Sequence, residues 1–323
     1  MAVDVHAHVV PPSLGGAVRA GRAPDGIRVE AKDTGDVFHL EADHRANPVI
    51  GPLTDLDARE AWMDRRGVDH QLLSVWADLY GYGLDPDTGA AWSRLVNEHL
   101  LATVADRPRL WALATLPLQA PEAAVSILAS ARADGFVGAV VGTETPAHQL
   151  DAPELLPVWE AAAEHGVPLF VHPGYCRDPR LGDHGLVNAV GRGVDTTVAV
   201  ARLLLSGVPQ RIDGLSLVLA HGGGTLPYLL GRLARNHEIV AGTADPREGF
   251  ARLWFDSLVF DVGALELLCR LASPGQVVCG SDYPFSIGDL DPTAVVHRAH
   301  LGAHDVDELL SGAATRLFGL PAG

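Results

Sequence analysis

Eight short apolar runs, each followed by a stretch of helical periodicity, leave this 323-residue chain few folds to choose from. The runs that read as strands are Ala2 to Val5, Asp69 to Val75, Leu110 to Thr115 and Val137 to Val141, then Pro168 to Val171, Leu215 to Ala220, Leu253 to Asp256 and Gln276 to Gly280. Several are apolar almost throughout, as strands buried on both faces are. Asp55 precedes a helical stretch from Leu56 to Arg66 that Gly67 stops. Pro121 opens Glu122 to Ala133 ahead of Gly135, and Glu154 to His165 ends at Gly166. Eight strand–helix alternations predict an α/β fold, a (β/α)8 TIM barrel, over an open doubly wound sheet. A Rossmann half would need GxGxxG after the first strand, and none is there. One barrel can fill residues 1–323 as a single domain.

Residues 11–54 stand outside the repeat and are rich in Gly, Pro and charge. Within them Ile27 to Lys32 alternates, Asp33 to Asp36 turns, and Val37 to Leu40 runs back. That predicts a small hairpin-containing insertion after strand one, on the barrel's C-terminal face, where barrel enzymes carry their sites. A loop of this length in a compact domain is commonly functional. The chain is 47% hydrophobic and 20% charged, enough for a large core. Its formal net charge of −16, with no basic run, argues against nucleic acid or an anionic membrane as partner. Cys176, Cys269 and Cys279 have no paired spacing, so neither a disulfide framework nor a thiolate zinc site is expected. No signal-like segment opens the chain and no apolar run approaches about 18 residues, so a cytoplasmic enzyme is expected.

Polar residues that follow apolar runs directly, ahead of Gly or Pro, are those that leave the core at a pocket mouth. His6 and His8 lie two apart on strand one and so share a side. Strand five runs into His172-Pro173-Gly174, strand six into His221-Gly222-Gly223-Gly224, and strand eight into Ser281-Asp282-Tyr283-Pro284-Phe285. Singly, each has a plainer reading. His172 suits a hydrogen-bonded turn, the glycines after His221 an anion-binding turn, and Asp282 a helix cap. Together at the ends of four strands of one barrel they point to one site. His6, His8, His172 and Asp282 offer three nitrogens and one oxygen, a set suited to one Zn2+ with a water in the remaining position. Fe2+ or Mn2+ would accept the same donors. Strand four ends in Val141-Gly142-Thr143-Glu144 with no lysine to carry a bridging carbamate, which favours one metal over two.

This set of motifs, together with Gly67-Val68-Asp69, Leu116-Pro117-Leu118-Gln119 and Gly231-Arg232, resembles the amidohydrolase superfamily over nearly the whole chain. More narrowly it resembles the mononuclear decarboxylase branch typified by 2-amino-3-carboxymuconate-6-semialdehyde decarboxylase. The resemblance implies that His6, His8, His172 and Asp282 are the metal ligands. It implies that His221 is not a ligand but hydrogen-bonds the water on the metal and, with Asp282, moves protons. By the same resemblance Arg45, in the insertion, would bind a substrate carboxylate, and Phe285 would line the pocket. Arg232 would reach into the neighbouring subunit's site and bind a second carboxylate, which implies a homodimer. The expected reaction is non-oxidative loss of CO2 from a small unsaturated or aromatic carboxylic acid. The alternative is hydrolysis of a small amide, ester or lactone by the same centre. A non-catalytic binding protein would be expected to lack His221 or Asp282, and both are present. The chain departs from the type member in Pro173-Gly174-Tyr175-Cys176 after His172 and in Trp76-Ala77-Asp78 after strand two. Both lie at the expected pocket mouth, where Trp76 would contact substrate or pack beneath the insertion.

Overall fold

The computed structural model describes residues 1–40, 47–174, 176 and 178–321. Among these residues there are ten strands: β1 (Val3–Val9), β2 (Arg28–Lys32), β3 (Gly35–His39), β4 (His70–Val75), β5 (Leu110–Thr115), β6 (Gly138–Val141), β7 (Leu169–Val171), β8 (Leu217–Leu219), β9 (Trp254–Asp256) and β10 (Val277–Val278). Eight of them form one parallel sheet in the order β1-β4-β5-β6-β7-β8-β9-β10. The segment after β10 returns to β1 and closes the ring. Val5 N–H donates to Cys279 O at 2.9 Å, Asp282 N–H to His6 O at 2.8 Å and His8 N–H to Tyr283 O at 2.7 Å. This closure makes a (β/α)8 barrel and carries Asp282 to the histidines of β1, at the far end of the sequence.

The strands hold because their side chains have no route to water. Every residue of β1 and of β6 to β8 is buried, and the inward and outward faces are both packed. Each Leu, Val or Phe so buried contributes about 1.5–3 kcal/mol relative to exposure. β1 runs through Val9, past the apolar run Ala2 to Val5 and through both histidines: after a register shift between Asp4 and Ala7, Ala7 to Val9 pair with Leu73 to Val75, while His6 O and His8 N–H bond the closing segment. The helix Leu56–Arg66 is capped by Asp55, whose carboxylate accepts the Ala58 N–H at 2.9 Å, and stops at Gly67 with φ 64°. The stretch expected as one helix from Glu154 to His165 divides into a 3-10 turn, Pro153–Leu155, and an α-helix, Leu156–Glu164. Pro157 has no N–H to donate, which the first turn of a helix tolerates.

β2 and β3 form an antiparallel hairpin with Arg28 opposite His39 and Lys32 opposite Gly35. Its turn is Asp33-Thr34, shorter than expected, because Gly35 joins the ladder. A Cβ at Gly35 would fall 2.0 Å from Val49 O, so only glycine fits there. The hairpin docks through β3, where Phe38 is buried with its ring 6.3 Å from Trp92.

Candidate metal centre

Four side chains converge at the C-terminal mouth of the barrel. The candidate donor atoms of His6, His8, His172 and Asp282 all lie within 4.8 Å of one another, and all four residues are buried. The two Nε2 atoms of His6 and His8 are 3.3 Å apart, and Asp282 Oδ1 stands 3.0 Å from the second of them. His172 completes the set, its ring centroid 4.6 Å from that of His8.

Each β1 histidine is turned by a partner behind it. His6 Nδ1 meets Asp256 Oδ2 at 2.6 Å, and His8 Nδ1 meets Ser74 Oγ at 3.1 Å. With Nδ1–H donated backward, each Nε2 presents its lone pair to the centre, the usual support for a metal-bound imidazole. Among the described residues His172 has no partner at either ring nitrogen although it is buried. An unsatisfied buried polar group costs about 1–3 kcal/mol, and a cation shared with the other three donors is a group that would satisfy this ring.

The electrostatics agree. Burial works against a charged His6, but Asp256 and Asp282 outweigh it and raise its pKa to about 10. Burial lowers His8 to about 4 and holds His172 well below the ordinary imidazole value. Burial opposes ionisation of Asp282, yet contacts with His221, His6 and His8 keep it well below the usual carboxylate range. Asp256 is likewise lowered against its burial by His6. Two carboxylates and one imidazolium leave one net negative charge. Exchange of the His6 proton for a divalent cation makes the buried cluster neutral.

Asp256 is the functional residue that sequence reasoning missed. Beyond His6, it accepts the N–H groups of His221 at 3.0 Å, Gly222 at 2.7 Å and Leu258 at 3.2 Å. Gly223 N–H and Gly224 N–H go to Ala220 O and His221 O. No amide of the HGGG turn is left for a phosphate. The glycines serve geometry instead: a Cβ at Gly224 would lie 2.1 Å from Gly193 O. His221 itself has φ 56° and Asp282 φ 60°, left-handed values that cost a non-glycine residue about 1–3 kcal/mol. Both sit where the site needs them. His221 Nε2 is 3.9 Å from Asp282 Oδ2, and its ring faces open space outside the four-donor cluster.

Beneath the centre lies a buried polar chain that was also not legible. Asp4 accepts Ser281 N–H at 3.0 Å and the Gln71 amide at 2.8 Å. Arg59 donates to Gln71 Oε1 at 2.7 Å and to His8 O at 2.5 Å. Its guanidinium stacks 4.7 Å from the Tyr283 ring centroid. The chain ties β1, β4 and the Asp282 segment into one unit.

Above the centre is a cavity of about 560 Å3 lined by Trp76, His172, Arg192, Asp282 and Phe285. Asn188, Arg192, Asp282 and Ile287 are shared with an adjoining lobe of about 580 Å3 that His221 also lines. Trp76 is buried and lies 6.2 Å from Phe285, so it both packs and forms wall; Phe285 stands 5.4 Å from the His8 ring. Arg45 lies outside the described residues. Arg232 is exposed on the helix Leu226–Ile239 and does not line this cavity.

Fold and donor set together define a class: a (β/α)8 barrel with three histidines and an aspartate placed at its strand ends to hold one divalent metal. The chain belongs to the amidohydrolase family, whose profile matches residues 3–320. It is 31% identical over 276 residues to 2-amino-3-carboxymuconate-6-semialdehyde decarboxylase of Dictyostelium discoideum, covering 82% of this chain and 77% of that one. It is 28% identical over 334 residues to 6-methylsalicylic acid decarboxylase of Penicillium expansum, covering 98% and 95%. The crystal structure of 5-carboxyvanillate decarboxylase from Sphingomonas paucimobilis superposes with a TM-score of 0.82 at 26% identity, over 99% of both chains.

Proposed function

We infer that this protein is a metal-dependent decarboxylase that releases CO2 from a small unsaturated or aromatic carboxylic acid. The observation that carries the reading is the buried cluster of three histidines and one aspartate, with both His172 nitrogens unpartnered, opening onto a cavity of substrate size. Hydrolysis could use the same centre; decarboxylation is favoured because the three relatives described above are named as decarboxylases.

His6, His8, His172 and Asp282 would hold one divalent cation, with Zn2+ the first choice for this donor set. Such a cation supplies Lewis acidity toward substrate oxygens and acidifies water. The chain's own residues do the rest. Trp76 and Phe285 wall the cavity and set the plane of an unsaturated acid against the cluster. His221 and Asp282, 3.9 Å apart and both facing the cavity, pass a proton to the carbon that bears the carboxylate. As that C–H bond forms, the bond to the carboxylate breaks. Its electron pair restores conjugation and CO2 departs.

Arg45 and Arg232 are proposed to bind substrate carboxylates, Arg232 from the second subunit of a homodimer. The apolar residues Val190, Val194 and Phe260, exposed beside the His221 lobe, support a second copy on that face. All three cysteines are free, in keeping with a reducing compartment such as the cytoplasm. Among the described residues no helix is long and apolar enough to cross a membrane.

The test is a CO2-release screen of the metal-loaded enzyme on amino-carboxymuconate-type and ortho-hydroxybenzoate acids beside a lactone panel. The reading expects CO2 from at least one acid; turnover of lactones alone would replace it with a hydrolase.

A further inference from the structure

Arg192 stands at the start of the helix Arg192–Ser206 and lines both lobes of the cavity, together with Asp282. Its Nη1 donates to Pro173 O at 3.1 Å and Gly174 O at 3.0 Å, and its Nε donates to Asn188 Oδ1 at 2.9 Å. These bonds fix the guanidinium plane, yet all three acceptors are neutral. Among the described residues no carboxylate pairs with Arg192, and Nη2 has no partner. The nearest acid on its own helix, Asp195, is engaged with Thr143 instead. Asp195 feels this cation only through space; a half-buried guanidinium held in place by neutral acceptors and bonded to no carboxylate, at the edge of a substrate-sized cavity, is built to receive an anion.

The chemistry indicates which anion. A contact to the departing carboxylate can help to seat the substrate, but it stabilises the reactant most, because that charge leaves as neutral CO2, and so it contributes nothing to the chemical step. A group that keeps its charge throughout is bound equally well before and during the reaction. We propose that Arg192 anchors a second, non-reacting carboxylate of the substrate and so selects diacids over monoacids. The proposal rests on the cavity's being the substrate site and names a residue of this subunit, which would share the non-reacting carboxylate with the arginine proposed to come from the second subunit.

The test is a comparison of two isosteric probes, isophthalate and 3-carbamoylbenzoate, bound to the metal-loaded protein and followed by calorimetry. In the wild type isophthalate should bind about tenfold tighter or better, the scale of a charge-assisted pair. Arg192→Gln should shrink that ratio to about twofold or less. Equal binding of the two probes to wild type, or an unchanged ratio in the variant, overturns the proposal. A purely structural role for Arg192 would weaken both probes together and leave the ratio alone. Should Arg192→Gln lose metal or fold, Asn188→Asp carries the test. It keeps the arginine and its carbonyl contacts but places a carboxylate on Nε, and it should lower the ratio as well; an unchanged ratio there also overturns the proposal. The ratio is read without turnover, so a shift in it with no CO2 released from any acid would sink the decarboxylase reading and leave Arg192's role standing.

Discussion

Asp256→Asn isolates the residue on which the centre turns. The carboxylate accepts four hydrogen bonds, from Gly222 and Leu258 on Oδ1 and from His6 and His221 on Oδ2. An asparagine has one acceptor oxygen, so in either orientation its NH2 opposes two buried N–H donors. At about 1–3 kcal/mol for each buried donor left unmade, the variant should lose roughly 2–6 kcal/mol before relaxation. The relaxation most open to it is a tautomer change at His6. Nδ1 would then accept from the asparagine, and the proton would move to Nε2, which faces the metal. Metal affinity should therefore fall about 10- to 100-fold, or roughly 1.4–2.8 kcal/mol. Competition against a chromophoric chelator measures the affinity, and thermal unfolding of the metal-free form measures the stability loss. An Asp256→Asn protein with wild-type affinity and an unchanged melting temperature would refute the argument that Asp256 sets the His6 tautomer.

Three other outcomes follow from the same geometry. His6 is raised from 6.5 to about 10 in the metal-free centre, so its contribution to stability is complete below about 6.5 and lost as pH rises through about 10. The melting-temperature gap between wild type and Asp256→Asn, both metal-free, should narrow across that window; a gap that widens contradicts the assignment. The same proton must leave Nε2 when metal binds, so calorimetry in buffers of different ionisation enthalpy should register about one proton released per metal at neutral pH. His221→Ala should retain its metal and lose turnover by about 100-fold or more, as for a removed acid–base group; loss of metal would place His221 among the ligands. Mixing Arg232→Ala with His221→Ala subunits should restore part of the activity through hybrid dimers, and no recovery would argue against an arginine supplied across the interface.

The donors were legible because each stands at or just after the end of an apolar run, where the alternation of core and turn forces a polar side chain outward. His172, His221 and Asp282 obey that rule, and His6 and His8 add the period of two. Asp256 obeys it as well, at the end of the run Leu253 to Asp256. Nothing local distinguishes it, because its partners come from β1 and from the HGGG turn, and only the sheet order brings them together. Arg59 was hidden for the opposite reason. It sits among charged neighbours on a helix that reads as solvated, yet it is fully buried because it reaches inward to Gln71 and His8 O. Arg192 belongs to a helix start with no motif. Its place at the cavity depends on the path of the loop after β7, which spacing does not encode.

The most direct measurement is CO2 release by chelator-stripped protein as metal is added back. The account predicts no release without metal, a linear rise that saturates at about one equivalent per chain, and one CO2 for each substrate consumed. Saturation at two equivalents, or full activity in the stripped protein, would contradict it.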